Sequence, residues 1–147
     1  MNMIRPWLFV GALRATQDAD ALKQHGIGAM LQLHRPAEQP GIETLYVAVQ
    51  EGYRMTRAEI KTGVDFVLEQ KAQGRRVLVA CGSGISRSAT FALAALKVDE
   101  NLGLGEAFLE VRKQYDRAMP DEVHWHDLCQ YFGEDVDFWS LWVRVEL

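Results

Sequence analysis

The sequence predicts a single α/β domain built on a central, largely parallel sheet of about four or five strands flanked by helices. Three observations predict it. Short runs of β-forming residues alternate with segments whose apolar residues recur at helical spacing. Val77-Leu78-Val79 is apolar without interruption, as a strand covered on both faces requires. The 147 residues contain no repeat, linker or low-complexity tract that would divide them.

The elements follow in order. Trp7 to Val10, closed by Gly11, reads as an edge strand. Asp18 to His25 reads as a short helix ended by Gly26. Ala29 to Leu33 is a strand, and Pro36, Pro40 and Gly41 mark a surface loop. Thr44 to Val49 is rich in β-formers and gives another strand. Thr56 and Glu59 form a capping box that opens a helix with Ile60, Val64, Val67 and Leu68 on one face, ended by Gly74. After Val77-Val79 a glycine-rich turn leads into a helix from about Arg87, carrying Phe91, Ala92, Ala95, Leu96 and Val98. Leu104, Phe108, Val111 and Tyr115 space a further helix. Trp125, Leu128 and Phe132 space the next, capped by Asp121 after Pro120.

The whole of 1–147 is expected to be one domain, with 134–147 an apolar C-terminal extension. Phe138-Trp139-Ser140-Leu141-Trp142-Val143 is expected to pack back on the domain, the alternative being a dimer contact; the chain is expected to be a monomer or weak dimer.

With 48% hydrophobic and 24% charged residues the composition is that of a soluble globular protein. A net charge of -4 argues against broad binding to nucleic acid or anionic membranes, though not against a local anion site. No stretch approaches the ~20 apolar residues of a membrane span. Two cysteines, Cys81 and Cys129, make no disulfide framework, so a reducing, cytoplasmic location is expected.

The chemistry concentrates in Cys81-Gly82-Ser83-Gly84-Ile85-Ser86-Arg87-Ser88. Ligands in α/β folds bind where strands end, and this loop follows the buried strand. Gly82 and Gly84 let successive amides curl inward as an anion nest, and the next helix aims its positive end at the same point. Gly82, Ser83, Gly84, Ile85, Ser86 and Arg87 are therefore the expected phosphate-binding residues. Arg87, six positions after Cys81, can fold back and present its planar fork to two phosphate oxygens. Helix termini and arginine favour the thiolate, so Cys81 is the expected nucleophile and a phosphocysteine the expected intermediate. Ser88 can hydrogen-bond the sulfur and help it leave. The competing reading is a buried structural cysteine, which leaves the glycines and the arginine unexplained.

Ala80 to Thr90 resembles the signature of the cysteine-dependent protein tyrosine phosphatases, above all their dual-specificity branch. That pattern is His-Cys, two residues, Gly, two residues, Arg-Ser, often then Ala-Thr. Trp7 to Gly11 with Asp18, Gly26-Ile27 and the strand to Leu33, and Glu106-Ala107 with Val111-Arg112, are similar to the same branch. The resemblance spans roughly Ile4 to Phe132. It implies a phosphatase acting on phosphotyrosine in a phosphorylated protein or peptide, with phosphoserine and phosphothreonine as further candidates, and no cofactor. Two positions depart from the family. Its histidine before the nucleophile is Ala80 here, which implies slower catalysis. Its general acid is an aspartate after the strand that here is Leu45-Val49; Glu51 stands at that position and takes the role, with Asp116 and Asp121 next in line. The alternatives are a weakly catalytic phosphate-binding module, or another thiolate enzyme such as a sulfurtransferase or arsenate reductase.

His25, His34, His124 and His126 do not form a ligand set, and no metal is expected. Cys129 reads as core, with a redox partnership to Cys81 the sharper alternative. Arg35, Arg54 and Tyr53 sit on loops able to rim the site.

Overall fold

The computed structural model describes residues 1–146. Five strands form one sheet: β1 (Asn2–Arg5), β2 (Leu8–Gly11), β3 (Ile27–Gln32), β4 (Glu43–Tyr46) and β5 (Arg76–Ala80). Their order is β1-β2-β5-β3-β4. β2, β5, β3 and β4 run parallel, and only β1 runs antiparallel, against β2. The α/β class with a mostly parallel sheet is therefore as the alternating pattern requires.

The run Trp7-Val10 is not an edge. Asn2–Arg5 doubles back along it and takes the edge, leaving β2 between β1 and β5. A four-residue strand with Asn at one end and Arg at the other carries little periodic signal, and its pairing is what defines it. The strand expected over Thr44–Val49 is shorter as a ladder, yet Val47 N and Val49 N still donate to Gln32 O and Leu33 O, at 2.9 and 3.1 Å.

The helices are α1 (Ala19–Gln24), α2 (Arg57–Ala72), α3 (Arg87–Glu100), α4 (Leu104–Gln114), α5 (Glu122–Phe132) and α6 (Ser140–Glu146), with a 3-10 turn at Leu13–Gln17. Their starts are chemical. Asp18 caps α1 by accepting from Ala21 N, and Asp121 caps α5 by accepting from His124 N. The capping box of α2 is complete: Glu59 N donates to Thr56 Oγ1 and Thr56 N to Glu59 Oε1, at 3.1 and 2.9 Å.

The alternation of side chains along each strand splits the core in two. Phe9, Met30, Leu78 and Ala80 face α1 with Leu22 and Ile27. Leu8, Val10, Ala29, Leu31, Val77 and Val79 face the larger layer, built chiefly from α2, α3, α4 and α5. α3 is buried at every position from Arg87 to Leu96, so it runs through that layer rather than over it. Val98, expected on its apolar face, is 47% exposed, because the helix leaves the core before Asn101 ends it in the left-handed region. Phe138 and Leu141 of the C-terminal segment are buried in the larger core, while Trp139 and Trp142 face solvent.

Candidate active site

The loop between β5 and α3 is fixed by the sheet before its own residues are considered. Cys81 N donates to Gly11 O at 3.2 Å, Leu33 N to Ala80 O at 2.9 Å, and Leu13 N to Gly82 O at 3.2 Å. Both neighbours of β5 thus hold the strand end from which Cys81 emerges. Cys81 is buried, and its sulfur accepts from Gly84 N at 3.2 Å, with Ser88 Oγ 3.4 Å away. The amide donates to the sulfur, and a hydroxyl within reach of it can turn to do the same when the sulfur is ionised.

Gly84 has to be glycine. Its φ is +77°, and a Cβ would lie 2.8 Å from Gly11 C and 2.9 Å from Ala12 N. The far side of the loop is tied to the segment before α5: Met119 N donates to Ile85 O, and Asp121 N to Ser86 Oγ, each at 3.0 Å. α3 starts at Arg87 with no side-chain cap, so no capping side chain occupies its first amides.

Arg87 is 7% exposed, and its donors divide into two sets. Nη1 is engaged outward, donating to Val49 O at 2.8 Å and lying 3.4 Å from His34 Nδ1. Nη2 reaches over Gly82, where an added Cβ would come within 3.0 Å of it. Nε is buried without a hydrogen-bond partner. A buried donor left unpaired costs about 1–3 kcal/mol, and more when it is charged. Nε and Nη2 form the edge of the fork that matches two oxygens of a tetrahedral anion.

Glu51 sits on the turn after β4, with its side chain 52% exposed and Oε2 4.0 Å from Arg87 Nε. The sequence-expected residues Cys81, Arg87, Ser88 and Glu51 are therefore brought together, as are the loop residues Gly82 to Ser86. Asp121 is engaged elsewhere, since its carboxylate caps α5 and takes Gly52 N at 2.8 Å. Asp116 lines a separate cleft of 740 Å³ beside Ser83 and Gly84, with Arg14, Asp18, Lys113 and Arg117. A second cleft of 520 Å³ opens between Arg87, Glu51, His34, Val49 and Tyr46.

Several neighbours escape a reading by sequence. His34 lies against Arg87 from the loop after β3. The Glu51 turn hangs from α5: His124 Nε2 reaches Tyr53 O at 2.8 Å, and Asp127 Oδ2 accepts from Met55 N at 2.7 Å. Arg54, expected on a loop able to rim the site, pairs with Asp127 at 3.2 Å. Ala80 points into the smaller core with Phe9, Met30 and Leu78, so an apolar contact fills that position. Burial pushes the Cys129 thiol up, and its sulfur lies 3.6 Å from Val136 O. Among the described residues no group of three or more His, Cys, Asp or Glu side chains is placed to hold a metal ion.

The chain matches the family model described as the dual specificity phosphatase catalytic domain over residues 8–134. It is 27% identical to dual specificity protein phosphatase 22 of Mus musculus, across 99% of this chain and 81% of that protein. It is 32% identical to human dual specificity protein phosphatase 2, across 87% of this chain and 42% of that protein. The crystal structure of human DUSP28 superposes with a TM-score of 0.82 at 26% identity, covering 89% of this chain and 94% of that one.

Proposed function

This chain belongs to the dual-specificity phosphatase family, and from that premise we propose that it hydrolyses phosphotyrosine, and phosphoserine and phosphothreonine as well, through a phosphocysteine on Cys81. The observation that carries the proposal is the unpartnered, buried Nε of Arg87 beside the Cys81 loop. A bound phosphate supplies what that donor lacks.

The substrate phosphoryl group sits over Cys81, with its oxygens on the loop amides and on Nε and Nη2 of Arg87. The sulfur attacks phosphorus in line; the S–P bond forms as the bond to the substrate oxygen breaks. Glu51 gives that oxygen a proton, so an alcohol or phenol leaves. The Glu51 carboxylate then takes a proton from water, whose oxygen attacks phosphorus. The S–P bond breaks, Ser88 donates a hydrogen bond to the departing thiolate, and inorganic phosphate is released. The Arg87 fork and the amides stabilise the charge spread over the equatorial oxygens in both steps.

The substrate is proposed to be a phosphorylated protein or peptide, reached through the exposed faces around Glu51 and Tyr53. No described helix is long and apolar enough to cross a membrane. A cytoplasmic location and a monomer or weak dimer complete the reading.

The test is turnover of an aryl phosphate and of phosphotyrosine, phosphothreonine, sugar and lipid phosphates, with Cys81→Ser as the blank. Turnover that vanishes in the variant, and a phosphorylated Cys81 trapped by rapid acid quench, is the expected result. Equal residual turnover in Cys81→Ser sinks the nucleophile assignment. A second reading, a phosphate-binding module with little turnover, rests on the apolar packing of Ala80 and the exposure of Glu51. Phosphopeptide binding by the wild type without phosphate release is the result that selects it.

A further inference from the structure

The buried imidazole of His124 has a donor and acceptor problem that its surroundings state plainly. Its Nε2 lies 2.8 Å from Tyr53 O. A carbonyl oxygen only accepts, so Nε2 carries a hydrogen. In a neutral ring Nδ1 is then a bare lone pair. Nδ1 is buried with no hydrogen-bond partner, and a carboxylate oxygen, Asp121 Oδ2, stands 3.4 Å away. Two acceptors lie beside each other at a ring closed to bulk solvent, His124 being fully buried. A proton on Nδ1 turns this contact, out of line for a hydrogen bond, into an attractive ion pair.

Asp121 is not a passive neighbour. The same Oδ2 accepts from Gly52 N at 2.8 Å, the residue after Glu51. Its own amide donates to Ser86 Oγ of the phosphate loop at 3.0 Å. Asp121 therefore touches the phosphate loop with its backbone and the Glu51 turn with its side chain. His124 holds the next residue of that turn, Tyr53.

We propose that Asp121 and His124 are a positioning pair for the Glu51 turn, and that a proton on His124 Nδ1 tightens their hold on Gly52 and Tyr53. The imidazolium donates a stronger bond to Tyr53 O and fixes Asp121 Oδ2, whose second lone pair stays on Gly52 N. Loss of the proton restores the acceptor–acceptor contact and loosens the turn. The other charged or titratable groups of these segments are Glu51, Tyr53 and Arg54 on the turn, Arg87 in the loop, and Glu122, His126, Asp127, Cys129 and Tyr131 on α5 itself. Arg54 and Asp127 are paired with each other, and Arg87 is directed to Val49 O and toward Glu51. Asp121 is the one described carboxylate within 4.0 Å of the ring.

The effect on catalysis rests on the proton-donor role proposed above for Glu51; the geometry of the hold does not. The experiment follows the Gly52 amide and the His124 ring nitrogens by ¹⁵N NMR through a pH titration of the wild type and of His124→Gln. Glutamine can still donate to Tyr53 O but cannot titrate. Gly52 is expected to move with the midpoint of the His124 ring in the wild type and to lose that transition in the variant. The proposal is overturned by a Gly52 amide that ignores the ring's titration, by the same transition in His124→Gln, or by a ring whose protonation never changes. A kinetic arm compares a phosphothreonine peptide with an aryl phosphate. The ratio of their turnovers should fall about tenfold in His124→Phe, within the ~100-fold that a 1 Å misplacement can cost, and recover only in part in His124→Gln, which keeps the bond to Tyr53 O without the charge. An unchanged ratio in a folded His124→Phe also overturns the proposal. Should Glu51→Gln leave the leaving-group dependence intact, the acid role of Glu51 fails, while the Gly52 titration still judges the pair.

Discussion

Glu51 Oε2 lies 4.0 Å from Arg87 Nε, close enough for attraction and too far for a hydrogen bond. The carboxylate approaches a buried arginine donor that has no hydrogen-bond partner, without taking it. A phosphate drawn onto Nε therefore arrives next to the group proposed to protonate its leaving oxygen. Glu51→Gln keeps the length and shape and removes the acid. Turnover of phosphothreonine should fall on the order of 10²-fold, and turnover of an activated aryl phosphate much less. The alkaline limb of the pH–rate profile should flatten, because the wild-type acid acts in its protonated form. A steady-state profile on both substrates checks this; equal losses on the two argue for a binding role instead.

Arg87→Lys keeps the charge and loses the fork. Lysine offers a point charge to a site built for two parallel donors. The expected loss in kcat/KM is on the order of 10²-fold or more. Inorganic phosphate or vanadate should raise the melting temperature of the wild type, as a ligand specific to the folded state does, and leave that of Arg87→Lys nearly unmoved. Thermal melts with and without the anion decide it.

Gly84→Ala should cost both folding and activity. A left-handed alanine costs about 1–2 kcal/mol, and contacts of 2.8 and 2.9 Å to the backbone of Gly11 and Ala12 add to it. The same amide that points at the Cys81 sulfur must shift. Urea unfolding and aryl phosphate turnover should both register the change. A variant of wild-type stability and rate would mean that the loop does not press on β2 as described.

The edge strand carries a pH-dependent tie. Arg5 meets Glu100 and Glu110, at 2.8 and 2.9 Å, joining β1 to α3 and α4. Hydrogen bonds from Lys113 and then Arg5 hold the Glu110 carboxyl below its ordinary value of 4.5. A depressed carboxylate stabilises the fold above its unfolded value, and the contribution is lost as pH falls through the folded one. Arg5→Ala should thus lower stability by about 1 kcal/mol at neutral pH, with a difference that shrinks as pH falls below 4.5. Paired denaturation curves at neutral and acidic pH test the sign. A gap that widens in acid would place the dependence on other groups.

Much of this was legible from local chemistry. The capping box at Thr56 and Glu59, the cap at Asp121 and the glycine-rich turn after Val77-Val79 are short-range signals, and each sits where its chemistry requires. The true edge is not legible locally, because β1 is defined by pairing with Phe9 and Val10, not by its own pattern. Val98 keeps helical spacing but lies past the end of the core, which spacing alone does not reveal. The supports of the site were the least legible. His34, His124 and Asp127 meet it from distant segments, at separations of 53 residues from Arg87, 71 from Tyr53 and 72 from Met55. No local period encodes such contacts.

The strand-end bonds from Cys81 to Gly11, Leu33 to Ala80 and Leu13 to Gly82 make the phosphate loop part of the sheet's cooperative unit. It cannot breathe unless the carboxyl ends of β2, β5 and β3 part together. The Glu51 turn has no such ladder and hangs on side chains of α5. In hydrogen exchange the amides of Cys81 and Leu33 should open only with the whole domain, and that of Gly52 through local fluctuation. The sulfur is thus expected to ride on a slow-opening segment and the carboxylate on a far quicker one.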